Sequence, residues 1–184
     1  IAWIGASFYF VWLDNSLGEP PRWKIDSGLK GELWAVHGGG IYEVGKYRLG
    51  PAKLPETLHW FKWEAYSTWL SGMVLMVLIF YVGADTYLID PRISELSRIE
   101  AIIFGISFIV GGWLLYELLC STAIVTNGPA IAVCLTFSAA VASWALTSLF
   151  SGRGAFIHLG AMIGTIMAGN VFRVIIPSQR ALVA

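Results

Sequence analysis

The sequence predicts an all-α fold: a polytopic transmembrane helix bundle of about five helices, forming a single transmembrane domain over residues 1–184. The composition indicates a membrane protein, because 57% of the residues are hydrophobic, only 13% are charged and the mean hydropathy is +0.68. A soluble domain carries roughly 25% charged residues. The 12 basic and 12 acidic residues balance, which argues against a nucleic-acid partner. The charge-free stretches are also as long as the roughly 20 residues that a helix needs to cross a bilayer.

Four complete helices are predicted from these stretches. Residues 118–152 contain no Asp, Glu, Lys or Arg. This stretch must turn once, and Thr126-Asn127-Gly128-Pro129 supplies the break because Asn, Gly and Pro favour turns. The predicted helices run roughly over residues 63–84, 101–120, 130–150 and 154–176.

The amino-terminal part of the chain predicts one incomplete helix and one long loop. Residues 1–13 are apolar and aromatic, but 13 helical residues rise only about 20 Å. They are therefore expected to be the second half of a crossing whose first turns precede this sequence. Residues 14–59 form the long polar loop. Eight basic residues lie on the side of this loop and three on the other, so the positive-inside rule predicts a cytoplasmic loop.

Small residues and cysteines within the predicted helices indicate packing rather than chemistry. Small side chains at helical spacing let another helix approach closely. Cys120 and Cys134 lie in or near membrane helices, and no C-x-x-C-H motif is present, so no c-type haem is expected in this chain. Gly105 and Gly112, together with Tyr116, line a seam on the predicted helix 101–120. Gly160, Gly164 and Ala168 form a row of small residues on the last predicted helix.

An ionisable residue at membrane depth is the first functional candidate. His158 lies in an otherwise apolar helix, and at 100° per residue it shares a face with Thr165 and Gly169. A buried imidazole flanked by small residues offers a b-type haem both an iron ligand and room for the macrocycle. The alternative is a histidine that hydrogen-bonds a neighbouring carbonyl or hydroxyl group. The residues alone leave both interpretations open.

The polar segment contains the second group of candidates. His37 is followed by three glycines, whose backbone N–H groups can surround an anion, and Lys46 lies nearby in the chain. A plain flexible loop is the alternative. His59 and Lys62 lie among aromatic residues where the next helix begins. Such a surface suits a flat anionic heterocycle, through ring stacking and contacts with cations.

Several long strings in the chain resemble one protein family. The sequence is similar to the membrane domain of the bacterial cytochrome-linked urate hydroxylases, the urate oxidase N-terminal domain family. The similarity extends over essentially the whole chain. The strings that carry it are residues 1–10 (IAWIGASFYF), 32–40 (ELWAVHGGG), 58–66 (LHWFKWEAY), 150–161 (FSGRGAFIHLGA), 164–167 (GTIM), 170–172 (NVF) and 175–177 (IIP).

The resemblance implies an activity, a location and partners. Family members oxidise urate to 5-hydroxyisourate in the bacterial inner (cytoplasmic) membrane and pass the electrons to a c-type cytochrome domain. Their membrane domain has about eight helices, so this chain is expected to be truncated at both ends relative to the family. The implied partners are a c-type cytochrome or other electron-transfer protein, the lipid bilayer and other membrane subunits.

The residues and the resemblance together give a working hypothesis. Lys62 or Lys46 would face the urate anion, His37 or His59 would take a proton, and haem b on His158 would receive electrons. A second hypothesis keeps the fold and drops the chemistry. In it, the chain is a non-catalytic accessory subunit of a larger electron-transport or pigment complex.

Overall fold

A computed structural model describes residues 6–183, and the chain divides into two compact units at Glu64/Ala65. The second unit contains the greater part of the apolar helices, and the first contains the polar segment. Within the described residues, four helices are long and apolar enough to cross a membrane, as the charge-free stretches predict. They span Trp63–Tyr81, Arg98–Ser121, Gly128–Leu149 and Gly152–Val183.

The helical elements from Trp63 onwards follow one another with short connections, and two of the long helices contain a π-helical turn. These elements are α3 (Trp63–Met76) with a π-helical turn (Val77–Tyr81), α4 (Ala84–Tyr87), α5 (Arg98–Ser121), a 3₁₀ turn (Ala123–Thr126), α6 (Gly128–Leu149), and α7 (Gly152–Asn170) with a second π-helical turn (Val171–Ile175) that leads into α8 (Ile176–Val183).

Side-chain caps fix where the long helices begin. Ser97 and Glu100 form a reciprocal capping box at the start of α5. The Asn127 side chain accepts from the Ala130 N–H at the start of α6, and Ser151 does the same for Gly154 at the start of α7. The break predicted at residues 126–129 is therefore confirmed, because Asn127 caps the helix that follows it.

The first unit corrects the all-α prediction and the prediction of a plain loop over residues 14–59. It contains a two-stranded antiparallel sheet, in which His37 pairs with Gly40 across a two-residue turn. Gly38 and Gly39 have φ of +56° and +81°, which suits a tight hairpin turn and which L side chains rarely adopt. The elements of this unit before α3 are α1 (Ala6–Asn15), α2 (Arg22–Asp26), β1 (Leu29–His37) and β2 (Gly40–Tyr47).

The buried core of the second unit lies at one end of the bundle. The Ser151 N–H donates to the Leu88 carbonyl (2.9 Å) and its hydroxyl donates to the Tyr87 carbonyl (2.6 Å), so the start of α7 is joined to α4. Leu88, Leu146 and Phe150 are completely buried around this junction. The end of α6, the start of α7 and the short helix α4 therefore pack into one cluster, and this cluster contains His158.

Candidate functional site

His158 is completely buried, and both of its ring nitrogens have partners. Nδ1 lies 2.8 Å from the Gly154 carbonyl oxygen, one turn earlier in α7. Nε2 lies 3.2 Å from the Tyr81 hydroxyl oxygen. Because a carbonyl only accepts, Nδ1 carries the proton, and Nε2 of the neutral ring accepts from the Tyr81 hydroxyl. The imidazole therefore links α7 to the π-helical turn of α3.

The surroundings of the His158 ring are closely packed. A Cβ placed on Gly105 would lie 2.5 Å from Nε2, so α5 needs a glycine at this position. The Phe150 and Phe80 rings lie with their centroids 5.1 and 6.4 Å from the imidazole centroid. Three neighbouring segments thus enclose the ring, and none of its edges faces lipid.

The haem b that was predicted from the position of His158 does not fit the ring as it is packed. A haem iron needs the unprotonated ring nitrogen and an open slot for the macrocycle. The unprotonated nitrogen is Nε2, which accepts from Tyr81 and abuts Gly105. No group of three or more His, Cys, Asp or Glu side chains that could hold a metal ion occurs in residues 6–183. Haem b therefore stays a prediction without support from this site.

Thr165 and Gly169, predicted to flank the cofactor, lie in contacts between helices. The Thr165 hydroxyl donates to the Ala161 carbonyl (2.7 Å) and accepts from the Trp69 indole N–H (2.9 Å). A Cβ on Gly169 would lie 3.0 Å from the Trp113 indole nitrogen. This face of α7 therefore packs against α3 and α5 instead of lining an open slot.

The predicted seam on α5 is confirmed. Gly112 accommodates the Met162 side chain, and Tyr116 accepts a hydrogen bond from the Asn170 amide. In contrast, a Cβ on Gly160 or Gly164 would meet nothing within 4 Å in the described chain. Of the two predicted rows, the α5 seam therefore has close neighbours, whereas Gly160 and Gly164 have none within the part of the chain that the structure describes.

The hairpin separates two of the predicted site residues of the first unit. His37 lies exposed at the turn, whereas Lys46 pairs with Gly31 near the other end of the strands. Six residues of strand correspond to about 20 Å. Lys46 also forms an ion pair with Asp14 (2.6 Å between Nζ and Oδ2). The structure therefore does not bring His37 and Lys46 together.

The other two predicted residues lie close together in the chain, at the entrance to α3. The His59 ring is 70% exposed, with Nε2 3.5 Å from Glu64 Oε1, and it packs edge-on against Phe61 at 4.6 Å between centroids. Phe61 in turn packs against Phe10 at 4.9 Å. Lys62 is half-buried, and among the described residues no carboxylate forms an ion pair with it. His59 and Glu64 thus contact each other at the start of α3, and Lys62 lies between them in the chain.

The first unit contains a charged cluster that was not predicted from the sequence. Lys24, only 7% exposed, hydrogen-bonds both Glu32 on β1 and Glu43 on β2. Its ammonium lies 5.2 and 5.4 Å from the Trp23 and Trp34 ring centroids. The hydrogen bond with Lys24 lowers the pKa of Glu32, and the hydrogen bond with Glu32 raises the pKa of Lys24. Only the strand register brings the two carboxylates together, so no sequence spacing could have revealed this cluster.

Comparison with known proteins gives one match. The family described as urate oxidase N-terminal matches residues 1–184, the whole chain. No curated protein and no solved structure matches the sequence. Because the match covers every residue, this chain belongs to the urate oxidase N-terminal family.

Proposed function

We propose that this chain is part of a membrane-bound urate hydroxylase. Urate and one water molecule would yield 5-hydroxyisourate, two protons and two electrons, and the electrons would pass to a c-type cytochrome or another electron-transfer protein. The observation that carries the proposal is the family match over residues 1–184. The four apolar helices support a multi-pass membrane location, which we place in the bacterial inner membrane with the polar segment in the cytoplasm.

The entrance to α3 is the part of the chain whose geometry best suits urate. The substrate is a flat anion, and Lys62 offers an ammonium group that no carboxylate of the described chain neutralises. His59 is exposed enough to reach a substrate, and the Glu64 carboxylate favours a ring orientation that leaves one nitrogen available to take a proton. The Phe61 ring beside His59 adds an apolar surface for stacking.

The other predicted pair suits the reaction less well. Lys46 is already paired with Asp14, so binding an anion there would require this ion pair to break. His37 lies at the far end of the hairpin from Lys46, which prevents one substrate from contacting both side chains. We therefore assign the anion-binding role to Lys62 and the proton-accepting role to His59.

The packing of His158 favours a second candidate function, that of a non-catalytic accessory subunit. An imidazole with both nitrogens occupied contributes to the stability of the bundle without binding a cofactor. In that case the fold would serve a larger membrane complex through its packing surfaces. Urate turnover would then be absent from preparations in which the chain is intact and bound to other subunits.

The test compares single-site variants of the membrane-embedded protein. Urate consumption and 5-hydroxyisourate formation are followed with cytochrome c as the electron acceptor, for the unmodified protein and for Lys62→Gln and His59→Gln. Loss of a general base typically slows a reaction by about 10²–10⁴-fold, and we expect His59→Gln to lower kcat within that range. Lys62→Gln should act mainly by raising KM for the anion. Lys53→Gln, an exposed lysine of the same segment, is the matched control.

Two results would contradict the proposal. Unchanged turnover in both variants would place the urate site elsewhere in the protein. Absence of urate consumption by the unmodified protein, together with stoichiometric association with other membrane subunits, would favour the accessory-subunit function.

A further inference from the structure

The tip of the β-hairpin is uncharged and apolar. Residues 33–42, which include the turn and the adjoining ends of both strands, contain no Asp, Glu, Lys or Arg. This stretch lies within the polar segment, where six basic and six acidic residues occur between positions 14 and 59. The absence of charge is therefore confined to the part of the hairpin farthest from its base.

One face of the tip exposes large apolar side chains. Trp34 and Val36 lie on the same face of β1 because residues two apart in a strand point the same way, and Ile41 is the cross-strand partner of Val36. Their exposed fractions are 59%, 77% and 74%. We call these three residues the tip patch. Adjoining large apolar side chains on a protein surface are typical of sites that contact another protein or a membrane.

The base of the hairpin is held firmly, so the tip patch projects from an anchored element. Lys24 bridges Glu32 and Glu43, the cross-strand partner of Trp34, and thereby neutralises the charge beside that end of the patch. Lys46 pairs with Asp14, the one acidic residue of α1, at the other end of the strands. A two-stranded hairpin is marginally stable alone in water. These contacts fix its base. They also reach Trp34, whose indole N–H donates to Glu32 Oε1 (3.3 Å), and they leave Val36 and Ile41 uncovered.

We propose that the tip patch inserts into the interfacial region of the lipid bilayer. The chain has four helices suited to crossing a membrane, so lipid is its permanent neighbour. The hairpin base is also tied to the end of α1, a helix whose exposed side chains are themselves apolar and aromatic. An uncharged tip bearing Trp34 matches the composition of interfacial anchors, whose apolar groups enter the boundary between headgroups and acyl chains. This inference is independent of urate turnover.

Spin-label accessibility in lipid nanodiscs tests the insertion directly. The full chain, with Cys120 and Cys134 replaced by alanine, carries one nitroxide label at Ile41→Cys or, as control, at the exposed Lys30→Cys near the hairpin base. Oxygen concentrates in the bilayer, whereas a neutral nickel complex stays in water. We expect the ratio of oxygen to nickel accessibility to be higher at position 41 than at position 30, because the interface excludes the nickel complex and admits oxygen.

A second variant shows whether the tip patch, and not the attached nitroxide label, brings position 41 into the lipid. Val36→Asp adds a charge to an exposed site of the tip patch, so the hairpin should still fold while position 41 leaves the lipid. The oxygen-to-nickel ratio at position 41 should then fall to that at position 30. Equal ratios at both positions without Val36→Asp would overturn the proposal in favour of a water-exposed tip. A label at position 41 that neither reagent reaches would overturn it in favour of a protein partner or a second copy of the chain.

Discussion

The two units satisfy their buried polar side chains in different ways. In the helical unit, His158 is completely buried and uses a backbone carbonyl and a tyrosine hydroxyl. In the hairpin unit, Lys24 is nearly as buried and uses two carboxylates, Glu32 and Glu43. Charges are expensive at membrane depth, whereas a partly exposed ion cluster retains some hydration. The comparison predicts that changes in packing alter the stability of the helical unit and that changes in pH alter the stability of the hairpin unit.

Removal of the His158 ring should have the largest effect on stability. His158→Ala would leave a cavity and would deprive both the Tyr81 hydroxyl and the Gly154 carbonyl of their partner. We expect the free energy of unfolding to fall by about 3 kcal/mol. Unfolding can be followed by the reaction of Cys120 and Cys134 with a thiol-reactive dye on heating, because both thiols are free and partly buried.

The matched controls separate hydrogen bonding from volume. His158→Gln keeps a donor and an acceptor, and it should lose less stability than His158→Ala. His59→Ala removes a ring that is 70% exposed in the other unit, and should leave the unfolding of the helices unchanged. Equal stability of His158→Ala and the unmodified protein would show that the buried hydrogen bonds do not hold the bundle together.

The second prediction concerns the close contact between α5 and His158. Gly105→Ala would place a methyl group 2.5 Å from Nε2, and we expect it to lower the free energy of unfolding by about 2 kcal/mol. Gly111→Ala, one turn and a half further along the same helix, would meet nothing within 4 Å and serves as the control. The same thermal unfolding assay applies to both variants.

A double variant connects the first two predictions. Gly105→Ala combined with His158→Ala should lose less stability than the two single losses added together, because the second change removes the atom that the new methyl group strikes. Strict additivity would contradict the close packing of these two residues.

The sequence predicted the helices well because their signals are local. Runs of about 20 apolar residues and the caps at Ser97, Asn127 and Ser151 lie within or beside each helix. The hairpin was not predicted because the residues that hold it together are far apart in the sequence. Lys24, Glu32 and Glu43 come together only once the strands pair, and the strand residues do not alternate regularly between apolar and polar.

For the candidate site residues, too, the periodicity and spacing along the chain do not reveal which other elements lie next to them. The predicted common face of His158, Thr165 and Gly169 follows from helical periodicity, and in the structure all three meet neighbouring helices. Periodicity could not show that those neighbours fill the space that a haem would need. Likewise, the spacing between His37 and Lys46 suggested proximity, whereas pairing of the strands puts them at opposite ends.

The smallest effect on the whole molecule is expected from acid, and it should appear in the hairpin strands but not in α6 or α7. The folded-state pKa of Glu32 is lowered from 4.5 by its hydrogen bond with Lys24, so this contribution to stability is present above pH 4.5 and is lost as the pH falls through the folded-state value. The pKa of Lys24 is raised above 10.5, so the contribution of its ammonium is lost only as the pH rises beyond that value. Amide hydrogen-exchange protection of β1 and β2 should therefore fall below about pH 4.5, while that of α6 and α7, which contain no Asp or Glu, stays constant. Glu32→Gln should reduce the protection of the strands at neutral pH and flatten its acid dependence, whereas Glu19→Gln, at an exposed site, should do neither. Simultaneous loss of protection in the strands and in α6 and α7 would contradict this prediction, because Lys24, Glu32 and Glu43 all belong to the first unit.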